Sequence, residues 1–128
     1  MNPLSCSIIA FSDAPDPAAL ARLNETLRAF ARQDIQTFYV GVSAAAEPAV
    51  LHALHTLQAD CPAVTIHPLT PAKNLTLAFR AAAGHGRFCI CCLPPAACDA
   101  VIQGQALGLV IINIAAPPDF MTALLLQS

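Results

Sequence analysis

Apolar and polar residues follow two rhythms along this chain. Short apolar runs alternate with longer stretches in which apolar residues return every three or four positions. "CSIIAF" (6–11) reads as a first strand. Asp16 is placed to cap a helix with Pro17 at its first position, and Leu20, Leu23, Leu27 and Phe30 keep helical spacing through about residue 33. "IQTFYV" (35–40) predicts a second strand, and a second helix starts near Glu47-Pro48 with Val50, Leu51, Leu54 and Leu57 on one face. "AVTIHPL" (63–69) is a short third strand closed by Pro68 and Pro71. Thr70 is the expected cap of a third helix beginning at Pro71, with Leu75, Ala78, Phe79 and Ala82 as its stripe and Gly84 or Gly86 past its end. "RFCICCL" (87–93) and "LVIINI" (109–114) are strands four and five, with a helix from about Pro95 to Ala106 between them and a last helix from Pro118 to Gln127.

Five strand–helix units without a repeat or linker predict one domain over residues 1–128. Strands four and five are continuous apolar runs, as in central strands of a parallel sheet covered on both faces. The expected architecture is a three-layer, doubly wound α/β domain with a five-stranded parallel sheet. In such sheets a site forms at the carboxyl ends of the strands, here 11–16, 41–46, 67–71, 92–95 and 113–118.

Composition narrows the functional classes. The chain is 56% hydrophobic and 11% charged, with a net charge of −2 and no basic run, so neither disorder nor a nucleic-acid surface is expected. "MNPLSCSIIAF" lacks the charged start and cleavage site of a secretory signal, and "ALGLVIINIAA" is about half of the roughly 20 residues of a membrane span. A cytoplasmic protein without membrane association is the expectation. The cysteines at 6, 61, 89, 91, 92 and 98 form no CxxC…CxxC pairing, so they read as reduced, buried thiols and not as a metal site. His52 and His55 share one helical face without an identifiable third ligand, and "GHG" (84–86) is a helix stop, not a phosphate loop. No cofactor is expected.

The segments at the strand ends carry a family resemblance. "FSDAP", "HPLTP" and "CDAVIQGQALGLVIINIAAPPD" resemble the receiver domain of response regulators along essentially the whole chain. That resemblance implies a (βα)5, flavodoxin-like sheet of order 2-1-3-4-5. It also implies five phosphorylation-site positions, which fall here on Ser12, Asp13, His67, Cys92 and Ala115 or Ala116. A receiver needs a carboxylate nucleophile, two acids for Mg²⁺, a hydroxyl and a lysine. Of these only Asp13 remains, and no lysine or arginine follows Arg87. Asp13 also suits a helix N-terminus, and His67 a hydrogen-bonding strand end. The resemblance therefore implies a pseudo-receiver, non-catalytic and independent of phosphorylation. It would act as an interaction module, as the N-terminal domain of a longer regulator or as a homodimer through helix four, strand five and the last helix. Residues 88–128 carry only Asp99 and Asp119 as charges, and Val101, Phe120, Met121, Leu124, Leu125 and Leu126 are the candidate interface.

A second resemblance competes. "CSIIAFSDAPDPAALARLNETLRAF" and "NLTLAFRAAAGHGRFCICCL" are similar to the nucleotide-sugar-binding half of family 2 glycosyltransferases. "LPPAACD" stands where that family has its Asp-x-Asp metal motif, and "VGVSAAAEP" replaces its acidic turn after strand two. This resemblance implies a degenerate half-domain with strand three beyond strand two, so strand order separates the two readings. A small-ligand sensor using the same strand-end crevice is the third, although "FSDAPDP" holds no glycine for a phosphate loop.

Overall fold

The computed structural model describes residues 4–11, 13–70, 72–94 and 98–115. Strands and helices alternate as β1 (Ser5–Phe11), α1 (Pro17–Arg32), β2 (Thr37–Gly41), α2 (Glu47–Asp60), β3 (Thr65–Pro68), α3 (Leu75–His85), β4 (Phe88–Cys92), α4 (Cys98–Ala106) and β5 (Val110–Asn113). The expected fifth helix (118–127) lies outside the described residues.

All neighbouring strands are parallel, and their order is β3-β2-β1-β4-β5. This corrects the order 2-1-3-4-5. β3 lies beyond β2 at the rim, and β4 takes the place beside β1. The reason lies in β3 itself. Thr65 and Leu69 donate to the carbonyls of Gln36 and Val40 at 2.8 and 2.7 Å. By strand alternation, the backbone nitrogen of Pro68 therefore faces away from β2. Proline has no amide to offer a strand on that side, so β3 is confined to an edge. Thr65, His67 and Pro68 are also exposed, whereas an interior strand would bury both faces.

The helices divide between the two faces of the sheet. Leu23, Leu27 and Phe30 of α1 pack with Val50, Leu54 and Leu57 of α2 on Ile8, Phe38, Ile90 and Ile112. Ala78, Phe79 and Ala82 of α3 pack on the opposite face, against Ile9, Cys89, Cys91 and Ile111. Right-handed crossovers produce this division when the chain winds outward from β1 on one side and then returns to wind outward on the other. Gly104 lets α4 lie close, since a Cβ there would stand 2.6 Å from Ile111 Cδ1 and 3.0 Å from the Phe79 ring.

The first helix starts as expected: Asp16 Oδ1 accepts the Ala19 amide at 2.7 Å, with Pro17 in the first turn. The third does not. Leu69 is still paired with β2 and residues 72–74 are not helical, so Thr70 is not the cap. Asn74 is the cap, accepting the Leu77 amide at 2.9 Å, and α3 begins four residues later than expected. Residues 72–74 form a loop beside the strand ends before it.

One side chain ties the two strands at the β5 edge together beyond their ladder. Asn113 Oδ1 accepts the amides of Leu93 (3.0 Å) and Ala115 (3.1 Å), and Asn113 Nδ2 donates to the Leu93 carbonyl at 2.9 Å. Arg22 Nε, from α1, donates to the neighbouring Ile114 carbonyl at 2.7 Å. Removing the carboxamide leaves two backbone groups of Leu93 without their partners. Asn113→Ala is expected to lower stability by about 1–3 kcal/mol, read as a lower urea midpoint at unchanged slope; an unchanged midpoint would show that this contact holds nothing.

Candidate functional site

The carboxyl end of β1 is irregular. Ile8 pairs with Ile90 and Phe11 with Cys92, so Ile9 and Ala10 together oppose Cys91. This is a bulge, and Ala10 takes a positive φ of 62°, which residues with a Cβ seldom adopt. The bulge bends the end of β1 beside the end of β2. There Gly41 allows Leu69 close, because a Cβ on Gly41 would stand 3.0 Å from Leu69 Cβ. The loop before α3 completes a crevice.

That crevice has a volume of about 320 Å³. Its floor is Ala10, Phe11 and Gly41 from the strand ends, and its wall is Leu75 and Ala78 of α3. Ser43, Lys73 and Asn74 supply the polar groups of the lining, and among the described residues none that lines it is acidic. Ser43 is held by its own turn: its amide donates to the Phe11 carbonyl at 3.2 Å, and its carbonyl accepts the amides of Ala46 and Glu47. The Asn74 carboxamide oxygen is committed to the Leu77 amide. Lys73 is exposed and has no ion-pair or hydrogen-bond partner among the described residues. The volume lies at the lower end of the range of small-molecule sites, roughly 300–1,000 Å³.

Of the positions singled out by the receiver resemblance, the described ones, Asp13, His67, Cys92 and Ala115, do not line this crevice. His67 is on the rim strand and Cys92 on β4, with β2 and β1 between them. At roughly 4.8 Å per strand, that places the two backbones about 14 Å apart. Asp13 is exposed in the loop before α1, where Asp16 and not Asp13 caps the helix. Ala115 is exposed and donates its amide to Asn113. Ser12 and Ala116 lie outside the described residues. Of the candidate interface, Val101 is half-buried against the α3 side of the core, and Phe120, Met121, Leu124, Leu125 and Leu126 lie outside the described residues. Ile102 on α4 is 61% exposed.

His67 has a different local role from a hydrogen-bonding strand end. Its ring stacks on Tyr39, its register partner on β2, with centroids 5.1 Å apart. His85 packs on the same tyrosine at 4.4 Å from the end of α3. Small residues make this approach possible. Gly86 sits so close to β1 that a Cβ there would meet the Ser5 carbonyl at 2.5 Å, and the buried Ser5 and Ser7 hydroxyls are left without partners.

Cys91 and Cys92 face opposite sides of the sheet, as alternation requires. Burial pushes the Cys91 thiol up to about 12, with neighbouring Cys92 adding to it. Burial also raises Cys6, Cys89 and Cys92, and for Cys92 the Asp16 carboxylate adds to the rise while Arg22 opposes it. A thiol held neutral is a poor nucleophile and a poor metal ligand. Among the described residues, no three His, Cys, Asp or Glu side chains converge, and no helix is long and apolar enough to cross a membrane.

Sequence reasoning missed Lys73, the Ala10 bulge and the Asn113 tie. Lys73 carried a signal, being the sole lysine and standing directly before Asn74, a better cap than Thr70. The bulge carried none that a lone alanine could show. No protein-family profile, curated protein or solved structure matches this chain.

The raised thiols set a pH dependence. Above about pH 8.5 the thiols of the unfolded chain ionise while the buried ones stay protonated, so the native state binds more protons. Stability is therefore fully present below that pH and falls as pH rises towards 12, where Cys91 ionises in the folded protein. The urea midpoint should drop between about pH 8 and about pH 10, and a thiol reagent should label Cys6, Cys89 and Cys91 only on unfolding. Labelling of these three in the native protein at the rate of a free thiol would contradict their burial.

Proposed function

We propose that this chain is a catalytically silent binding domain of the nucleotide-binding type, resembling the nucleotide-sugar-binding half of family 2 glycosyltransferases, which holds a ligand in the β1–β2 crevice without turning it over. The observation that carries this reading is the strand order β3-β2-β1-β4-β5. It is the order in which strand three lies beyond strand two, and it begins as dinucleotide-binding sheets do. A receiver has β3 beside β1.

The position of the crevice supports the same reading. It opens at the carboxyl ends of β1 and β2, where α/β sheets of this kind take their ligands. Its apolar floor suits the flat face of a base, and Ser43 and Lys73 suit the sugar and phosphate. Silence follows from the end of β4. The segment after Cys92 is "LPPAACD", whose only acid, Asp99, lies in the first turn of α4. A single carboxylate there does not make the paired acids that a metal-assisted transfer uses.

Thermal unfolding in the presence of uridine, guanosine and adenosine nucleotides and of their diphosphate sugars tests the proposal. A ligand that binds only the native state raises the melting temperature with its concentration, by the equivalent of about 2.7 kcal/mol at a hundredfold excess over Kd. At least one nucleotide class should do so, with no sugar released from the diphosphate sugars. A flat response across the panel, or steady turnover of a diphosphate sugar, would sink it.

A further inference from the structure

The chemistry of the crevice lining goes further than its position. We infer that the crevice takes an anionic ligand without a divalent cation, with the Lys73 ammonium as the counter-charge. This rests on the binding reading above and adds to it the charge state of the ligand and the residue that selects it.

The lining sorts its residues by role. Ala10, Phe11, Gly41, Leu75 and Ala78 give an apolar cleft for the body of a small ring-bearing molecule. Hydrogen-bonding groups come from Ser43 and Asn74, and the Asn74 oxygen already serves the Leu77 amide. That leaves Lys73 as the lining's charged group. Its ammonium has no partner among the described residues. An unpaired cation beside an apolar cleft favours an anion, and its strength grows as the ligand excludes water from the rim.

A divalent cation finds no counterpart here. Mg²⁺ at a phosphate is ordinarily held by one or two protein carboxylates besides the phosphate oxygens. Among the described residues the lining contains no carboxylate. Bound as a point charge by one lysine, a phosphate or carboxylate needs no metal to bridge it. The ligand class is a small ring compound carrying a phosphate ester or a carboxylate, of about the size of a nucleoside monophosphate.

Titration calorimetry with uridine, UMP, UDP and phenyl phosphate, each in excess Mg²⁺ and in excess EDTA, tests this on the whole chain. The anions should bind equally in both conditions and more tightly than uridine. Lys73→Ala should weaken them roughly ten-fold or more, while Lys73→Arg keeps most of the affinity. Lys73 is exposed, so both variants should keep the melting temperature of the parent. Binding that requires Mg²⁺, or that treats uridine and UMP alike, would overturn the inference and leave the nucleotide-binding reading standing. Lys73-dependent binding of phenyl phosphate with no affinity for any nucleotide would do the reverse. No binding of any anion would end both.

Discussion

The backbone nitrogen of Pro68 points out of the sheet with no hydrogen to donate, and that one missing amide keeps β3 at the edge of the sheet. A strand blunted in this way ends a sheet. With β3 at the rim beside β2, β1 pairs with β2 on one side and with β4 on the other. The winding direction then assigns α1 and α2 to one face and α3 and α4 to the other. A parallel sheet also needs protected edges, and the proline that keeps β3 at the rim protects this one.

The crevice follows from the same layout. β3 pairs with β2 as far as Leu69 and α3 starts only at Leu75, and Lys73, just before that start, lies at the crevice. The bulge at Ala10 turns the end of β1 out of its ladder, a conformation with a real cost for a residue bearing a Cβ. Gly41 and the late cap at Asn74 complete the opening. Local irregularities, each small, thus coincide at one strand end. At the far edge, Asn113 and Arg22 hydrogen-bond the backbone after β4 and β5.

Much of this was legible in the residues. Hydrophobic period placed every strand and helix of the described chain to within a few residues, because both faces of the sheet are filled by runs such as "SIIAF" and "FCICC". Asp16-Pro17 gave the start of α1 outright. Strand order was harder, since periodicity reports which residues are buried and not which strand lies alongside. The clue was present in "TIHP", whose alternating polar residues and proline describe a rim strand, but the receiver-like spacing outweighed it. The site was less legible still. The strand ends 11–16 and 41–46 hold Phe11, Gly41 and Ser43 of the crevice, but His67 and Cys92, singled out by the receiver resemblance, are set apart by the actual order. What spacing did not show are the bulge at Ala10 and the loop lysine Lys73, which tertiary packing brings to that end.

The central claim is that β3 lies outside β2 and that β1 pairs with β4. Cross-strand amide and α-proton contacts in a nitrogen-edited NOE spectrum read this directly. The account predicts contacts joining the backbones around Tyr39 and His67 and around Ser7 and Cys89, with none between β3 and β1. Contacts of β3 with β1 on one side and β4 on the other would restore the order 2-1-3-4-5, bring His67 and Cys92 onto neighbouring strands, and contradict it.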